Sequence, residues 1–227
     1  MDSRFFYENL RRYSRALLQR NEQIRQDVPG NIDQRGIWDS QLAVSGAVII
    51  RGRMKMLQNL KGLLEQRLLH LTDGRLSLNI EYRPSVKSTD DPEEAILEAL
   101  NDSRERENIF RTTVVGPHRD NFVFLDGTKD MRRFSSQGEV RMAVLALKLA
   151  LVAFFAEFRG MYPVLLLDDI LLEIDRRNME KVLEGFNGRN QFFFTSTGVP
   201  DIPFFNVLKS SSFFFHQSVV KENRDGR

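Results

Sequence analysis

The run Pro163-Val164-Leu165-Leu166-Leu167-Asp168-Asp169 sets the tightest limit on the fold. Four apolar residues follow one another without the polar alternation of a half-exposed strand. They predict a strand buried on both faces, and such strands belong to sheets covered by helices. Two carboxylates stand where that strand should emerge, and open α/β sheets bind ligands at the carboxyl ends of their strands. Asp168 and Asp169 would point to opposite sides if the strand continued. One suits a hydrated Mg²⁺, a hard cation that prefers oxygen ligands. The other suits orienting a water for attack on a phosphate, or accepting its proton. The alternative is a strand end followed by a turn, with Asp as a helix N-cap.

The surroundings fit this strand. A helix is expected over about Gln137–Phe158, nearly apolar all round and hence buried. A helix around Arg176–Phe186 and a strand over Gln191–Thr195 follow. This order argues for an α/β arrangement with parallel strands. Upstream, short strands are expected at Thr112–Val115 and Phe122–Leu125, the second ending in an Asp126-Gly127 turn. The residues before 108 read differently. Phe6, Leu10, Tyr13, Leu17 and Ile24 recur at helical spacing, and a longer pattern runs from Ile37 to about Leu71. Together they suggest an antiparallel helical hairpin shaped like an arm, with Gly46, Gly52 and Gly62 as points where the second helix could break. An alternating strand, Leu76–Tyr82, and an acidic helix, Glu93–Glu107, complete this part. The division is placed near residue 108, giving a mostly helical region, 1–108, and a sheet-containing region, 109–227.

Composition excludes several chemistries. The 227 residues contain no Cys, so a disulfide scaffold, a Cys-ligated zinc site, an iron–sulfur cluster and a thiol nucleophile are ruled out. The three His form no cluster in the sequence that would suggest zinc. The longest apolar stretch, Ala143–Ala156, is interrupted by Lys148 and too short to span a bilayer. No signal peptide is visible at the start. Charge is unevenly spread. Residues 1–72 hold twelve Lys/Arg against seven Asp/Glu, and residues 87–108 hold three against eight. A basic segment facing an acidic one can bind phosphates, form two solvated helix faces, or draw the two helices together.

Phe134-Ser135-Ser136-Gln137-Gly138-Glu139-Val140-Arg141 is the second chemical signal. Ser136 and Glu139 have capping-box spacing. The backbone N–H groups and dipole of a helix N-terminus also favour an anion such as phosphate. Ordinary capping and phosphate sensing are both open. No GxxxxGK[ST] phosphate loop occurs in the chain, so at most half of a nucleotide site is present.

Gly116-Pro117-His118-Arg119-Asp120, Ser135–Arg141, Ala146-Leu147-Lys148-Leu149-Ala150 and Leu165–Asp169 together resemble, in order, the bacterial RecF family. Tyr13–Asn21 and Trp38–Ala43 resemble that family's arm. The resemblance is to the portion downstream of the N-terminal lobe that carries the Walker A loop, and the chain is expected to lack that lobe. It implies an ABC/SMC-type ATPase head sub-lobe, a sheet with packed helices, joined to a helical arm. It further implies ATP and Mg²⁺ as cofactors, with both needing the missing lobe, and an ATP-dependent homodimer with slow hydrolysis. Ser136, Gln137 and Gly138 would meet the γ-phosphate in trans. Asp168 would serve at Mg²⁺, Asp169 as the catalytic carboxylate, Asp175 in the D-loop and Ser196 as the switch residue.

The implied role is ATP-dependent DNA binding in the cytoplasm, in replication, recombinational repair and the SOS response. Junctions of duplex and single-stranded gap are the implied DNA, and RecR and RecO the implied partners, with no membrane. Arg11, Arg12 and Arg15, and Arg51, Arg53 and Lys55, are the candidate DNA contacts. Three departures stand out. The missing phosphate loop implies an ATPase in the intact RecF-like protein but no useful hydrolysis by this chain alone. Glu139 occupies a position usually held by Gln, placing negative charge near a γ-phosphate unless it caps its own helix. Leu172 stands where the family often has Ser. The alternatives are a non-catalytic DNA- or partner-binding module, favoured by the absent Walker A, and a two-metal nuclease built on Asp168 and Asp169.

Overall fold

A computed structural model of the chain describes residues 3–26, 32–87, 90–167, 180–182, 191–195, 212–216 and 219–223. It divides into two compact units. One comprises Met1–Glu65 and Ser77–Val140, the other Gln66–Leu76 and Arg141–Arg227.

In the first unit, which holds α2 (Ile32–Thr72) as far as Glu65, α1 (Ser3–Gln26) packs on α2 through an apolar stripe. Tyr13 and Ala16 of α1 join Leu42, Ala43, Ile49 and Ile50 of α2 in one buried cluster. Tyr13 lies against Gly46 and Arg20 against Asp39, so the two helices run antiparallel, as the sequence suggests. The glycines do not break α2, whose 41 residues extend about 60 Å. Gly46 has a packing role instead. A Cβ there would come within 2.8 Å of Ile96 Cδ1 and 3.2 Å of the Tyr13 ring, so its missing side chain lets α1 and α3 close on α2.

The acidic segment forms two helices rather than one, α3 (Pro92–Asp102) and α4 (Arg104–Phe110). Asp91 caps α3 by accepting from the Glu93 N–H at 3.0 Å, and Pro92 needs no donor at the first helical position. Ser103 separates the helices, and Glu107 of α4 is wholly buried. β1 (Leu78–Arg83) pairs antiparallel with β2 (Asn121–Asp126), in register Leu78↔Asp126 to Arg83↔Asn121. A turn with Gly127 at φ +59° returns the chain to β3 (Lys129–Asp130), followed by α5 (Met131–Phe134). The β1–β2 pairing carries this unit across residue 108, so the boundary placed there falls inside it.

Thr112–Val115 is not a strand. Its backbone groups have other partners. The Thr113 N–H donates to Asn21 Oδ1 at 2.8 Å, and the Thr113 carbonyl accepts from His118 and Arg119. Composition suggested a ladder there, but side chains took the groups a ladder needs.

The second unit contains most of α6 (Gln137–Arg159) and β4 (Leu165–Leu167), which pairs in parallel with β5 (Phe192–Phe194). The parallel pair fits the expected β-α-β order. β6 (Ser212–His216) and β7 (Val219–Asn223) form an antiparallel pair. Ala143, Leu145, Ala146, Leu149, Ala150 and Phe154 bury one face of α6. Among the described residues the other face is open in part, with Val144 and Phe158 about half exposed. Likewise Leu165 is buried while Leu166 is 72% exposed, so β4 is covered on one face only among the described residues. The expected helix at Arg176–Phe186 is described only at residues 180–182, which are helical. Among the described residues no helix is long and apolar enough to cross a membrane.

Candidate functional site

Two of the segments singled out in the sequence can be built residue by residue, and both lie in the first unit. The first is the turn Gly116–Asp120. Gly116 sits at φ +113°, where L side chains are strained, and a Cβ would come within 2.5 Å of the Tyr13 hydroxyl. That close approach lets Tyr13 reach His118 Nδ1 at 2.7 Å. His118 Nε2 lies 3.2 Å from the Thr113 carbonyl, which can only accept. The ring therefore carries its proton on Nε2, and Tyr13 donates to Nδ1. Burial holds His118 below the usual histidine range, despite the Thr113 bond, and burial pushes the Tyr13 phenol up.

Asp120 ties the turn to its neighbours. Its side chain is fully enclosed and accepts from the Tyr82 hydroxyl, the Ser85 N–H at 2.7 Å and Arg53 at 3.3 Å. Arg53 also donates to the Pro117 carbonyl at 2.7 Å and lies over the Tyr82 and Phe122 rings. Ser85 exchanges hydrogen bonds with both backbone groups of Gly116. The turn thus joins α1, α2 and the β-sheet. Its His and Arg make structural contacts in this arrangement.

Beside it lies a buried ionic network that spacing alone did not reveal. Arg20 is fully buried and pairs with Asp39 at 2.6 Å and Glu107 at 2.7 Å, and donates to Thr113 Oγ1 at 3.0 Å. Burial opposes the guanidinium charge, but Glu107 and Asp39 outweigh it and raise its pKa. Arg104 approaches Asp39 at 3.7 Å, so two cations face two carboxylates. One signal was available: Arg20 falls on the helical stripe between Tyr13 and Ile24, where an apolar residue would be expected.

The second segment is the start of α6. Ser136 N–H donates to Glu139 Oε2 at 2.6 Å, and its hydroxyl donates to the same oxygen at 2.8 Å. The Glu139 N–H returns a longer bond to Ser136 Oγ at 3.3 Å. This is the reciprocal capping box expected from the spacing. The Ser136 N–H and hydroxyl hold the Glu139 carboxyl below the usual range. Ser136, Gln137 and Gly138 are exposed. The segment reaches this place through β2, β3 and α5, whose own cap is the Asp130 side chain accepting from the Arg132 N–H at 2.9 Å.

Of the remaining candidates, Arg11, Arg12 and Arg15 are exposed along α1, with Arg11 6.0 Å from the Tyr7 ring centre. Arg51 pairs with Asp91 at 3.3 Å, Lys55 is exposed, and Arg53 is turned into the sheet contacts just described. The structure therefore brings Arg53 together with Asp120, not with Arg51 and Lys55 in an outward basic group. Sequence spacing grouped the three, but Arg53 is fixed by groups 64 and 67 residues away. Asp168, Asp169, Asp175 and Ser196 lie outside the described residues; Asp168 directly follows the last residue of β4. A carboxylate pair there offers the hard oxygen donors that Mg²⁺ takes.

No protein-family model matches the chain. Curated relatives do. The DNA replication and repair protein RecF of Moorella thermoacetica is 38% identical over 206 residues, covering 89% of this chain and 54% of the relative. The RecF proteins of Gloeothece citriformis and Clostridium acetobutylicum are 36% and 34% identical, covering 76% and 89% of this chain and 46% and 55% of theirs. The chain spans about half the length of the curated relatives it matches. A solved structure described as the recombination mediator protein RecF-ATP in the RecFOR pathway superposes with a TM-score of 0.84 at 28% identity, covering 97% of this chain and 59% of that one. A second, described as RecF-ATPrS, gives 0.80 at 29% identity and the same coverage.

Proposed function

Since this chain is a RecF relative matching the C-terminal part of that family, we propose that it supplies the trans half of an ATP-gated DNA-binding head. One observation carries the reading: a single superposition on a RecF structure described as RecF-ATP extends over 97% of the chain. In this reading the whole protein acts in the cytoplasm in recombinational repair and replication. It binds duplex DNA beside a single-stranded gap and works with RecR and RecO.

The residues take separate roles. Ser136, Gln137 and Gly138, exposed at the start of α6, offer a hydroxyl and backbone N–H groups to the γ-phosphate held by a second copy. Asp168, following β4, would hold Mg²⁺, and Asp169 would orient the attacking water. Asp175 and Ser196 would act as D-loop and switch residues. Bound ATP supplies the triphosphate that the two copies share. Arg11, Arg12 and Arg15 on α1 would follow the DNA backbone without reading sequence. Arg53 is withdrawn from that role because its bonds hold the Gly116–Asp120 turn.

The test is association of the full-length protein with gapped duplex DNA, measured with ATP, with ADP and without nucleotide. Tighter binding and a dimer with ATP, both lost in Ser136→Arg, are expected. Equal binding in all three conditions would favour the second reading, a module that binds DNA or a partner without catalysis. That reading draws on the absence of any GxxxxGK[ST] sequence in the chain.

A further inference from the structure

The sheet of the first unit runs β1-β2-β3, so among the described residues β1 has a partner on one side only. The phase of the ladder fixes which groups face the other side. The Gly127 N–H donates to the Ser77 carbonyl at 3.1 Å, which makes Ser77 and Gly127 a hydrogen-bonded pair. Bonding alternates along an antiparallel ladder, so Asn79 and Glu81 bond to β2, while Leu78, Ile80 and Tyr82 turn their N–H and C=O groups outward. Proteins commonly guard such an edge with a Pro, a bulge or a covering element. The six residues of β1 pair in unbroken register and include no Pro. Beside this edge lies a groove of about 180 Å³. Leu57, Leu60 and Leu64 of α2 and Leu78 and Ile80 of β1 form its apolar wall, and Lys61 stands at it as the one charged residue. Lys61 is exposed and makes no ion pair among the described residues. All of these residues belong to the first unit.

We propose that this edge and groove are a docking site for an extended segment of a protein partner. The segment adds to the sheet as a strand, with apolar side chains on its α2 side and a carboxylate next to them. The free ladder groups select a strand, because an extended backbone presents donors and acceptors at the matching spacing. The groove selects the apolar side chains. Residues opposite one another in a ladder point to the same face, so the partner residues bonded to Leu78 and Ile80 enter the groove. Lys61 selects the carboxylate by charge. The site is separate from the nucleotide reading and stands or falls without it.

The probe is a fluorescein-labelled peptide, Glu-Thr-Val-Thr-Val-Thr-Glu, which reads the same in either strand direction. Its Val and Glu side chains share the groove side, and their backbone groups are the ones that meet β1. Binding to the full-length protein is followed by fluorescence anisotropy, and amide hydrogen exchange over residues 77–84 by mass spectrometry. Binding with slowed exchange of that segment is expected. N-methylation of the two Val residues removes ladder donors and should weaken binding by at least about tenfold. N-methylation of the three Thr residues, whose N–H groups face away from β1, should change it by less than about twofold. Lys61→Glu should weaken binding by about threefold to fivefold and strengthen that of a peptide with Lys in place of Glu. Failure of the parent peptide to bind, or equal binding by the two methylated peptides, overturns the proposal. So does exchange that is already slow without peptide. If that slowing rises with protein concentration, the edge pairs with a second copy; if it does not, another part of the same protein covers it.

Discussion

The turn at Gly116–Asp120 and the helix start at Ser136–Glu139 both stood out as motifs, yet they are built in opposite ways. In the turn, His118, Arg119 and Asp120 each reach a partner from elsewhere in the sequence, including Tyr13, Thr113, Tyr82 and Arg53. At the helix start, Ser136 and half-buried Glu139 bond only each other, across three residues. A motif whose groups are tied to other elements gives up several contacts at once when one partner is exchanged. A motif that bonds only itself can exchange that bond for a ligand at small cost. A recurring motif is therefore a functional candidate only once its bonds have been counted.

That contrast can be broken by substitution, beginning where the effect should be largest. Glu107→Ala removes one carboxylate from buried Arg20 and is expected to cost about 3–5 kcal/mol in chemical denaturation. Gly116→Ala adds a Cβ at φ +113° against the Tyr13 hydroxyl and should cost about 2–3 kcal/mol, mostly through strain and a displaced Tyr13. Neither should change the ATP dependence of DNA binding in whatever fraction remains folded. Tyr13→Phe leaves His118 Nδ1 without its donor, for about 1–2 kcal/mol.

Protonation tests the same turn. His118 is held below its ordinary pKa by burial, so the unfolded chain binds its proton more readily. Its stabilising contribution is complete above the unfolded value of about 6.5 and is lost as pH falls toward the folded one. Denaturation midpoints measured from pH 7.5 down to pH 5.5 should decline, and His118→Gln should flatten that decline. Parallel curves for the two proteins would remove His118 from the account. At the small end, Arg12→Ala and Arg15→Ala should alter stability by less than about 0.5 kcal/mol while lowering the salt dependence of DNA binding.

Local physics explains what could be read in advance. The hairpin of α1 and α2 follows from apolar spacing, the capping box from Ser136 and Glu139, and the parallel β4–β5 pair from element order. RecF kinship rested on the order of short motifs, which the comparisons with RecF proteins support. The misreadings share one cause, partners distant in sequence. Thr112–Val115 looks like a strand until Asn21 takes the Thr113 N–H. Arg53 looks like a surface cation until Asp120 and the Pro117 carbonyl claim it. Arg20 breaks an apolar stripe for a reason supplied by Asp39 and Glu107. The exposure of Leu166 was hidden because periodicity reports what a strand can bury and not what covers it.

The trans arrangement itself can be measured by mixing two full-length variants, Ser136→Arg and Asp168→Asn, and following ATP hydrolysis. Each variant alone should be inactive. In a mixed dimer, the intact Asp168 of one copy faces the intact Ser136 of the other, and one working site is restored. Recovery of activity on mixing, rising with the fraction of mixed dimer, is the result expected. Two inactive variants that stay inactive together, while still forming mixed dimers, would place Ser136 and Asp168 at the same nucleotide in one chain and contradict it.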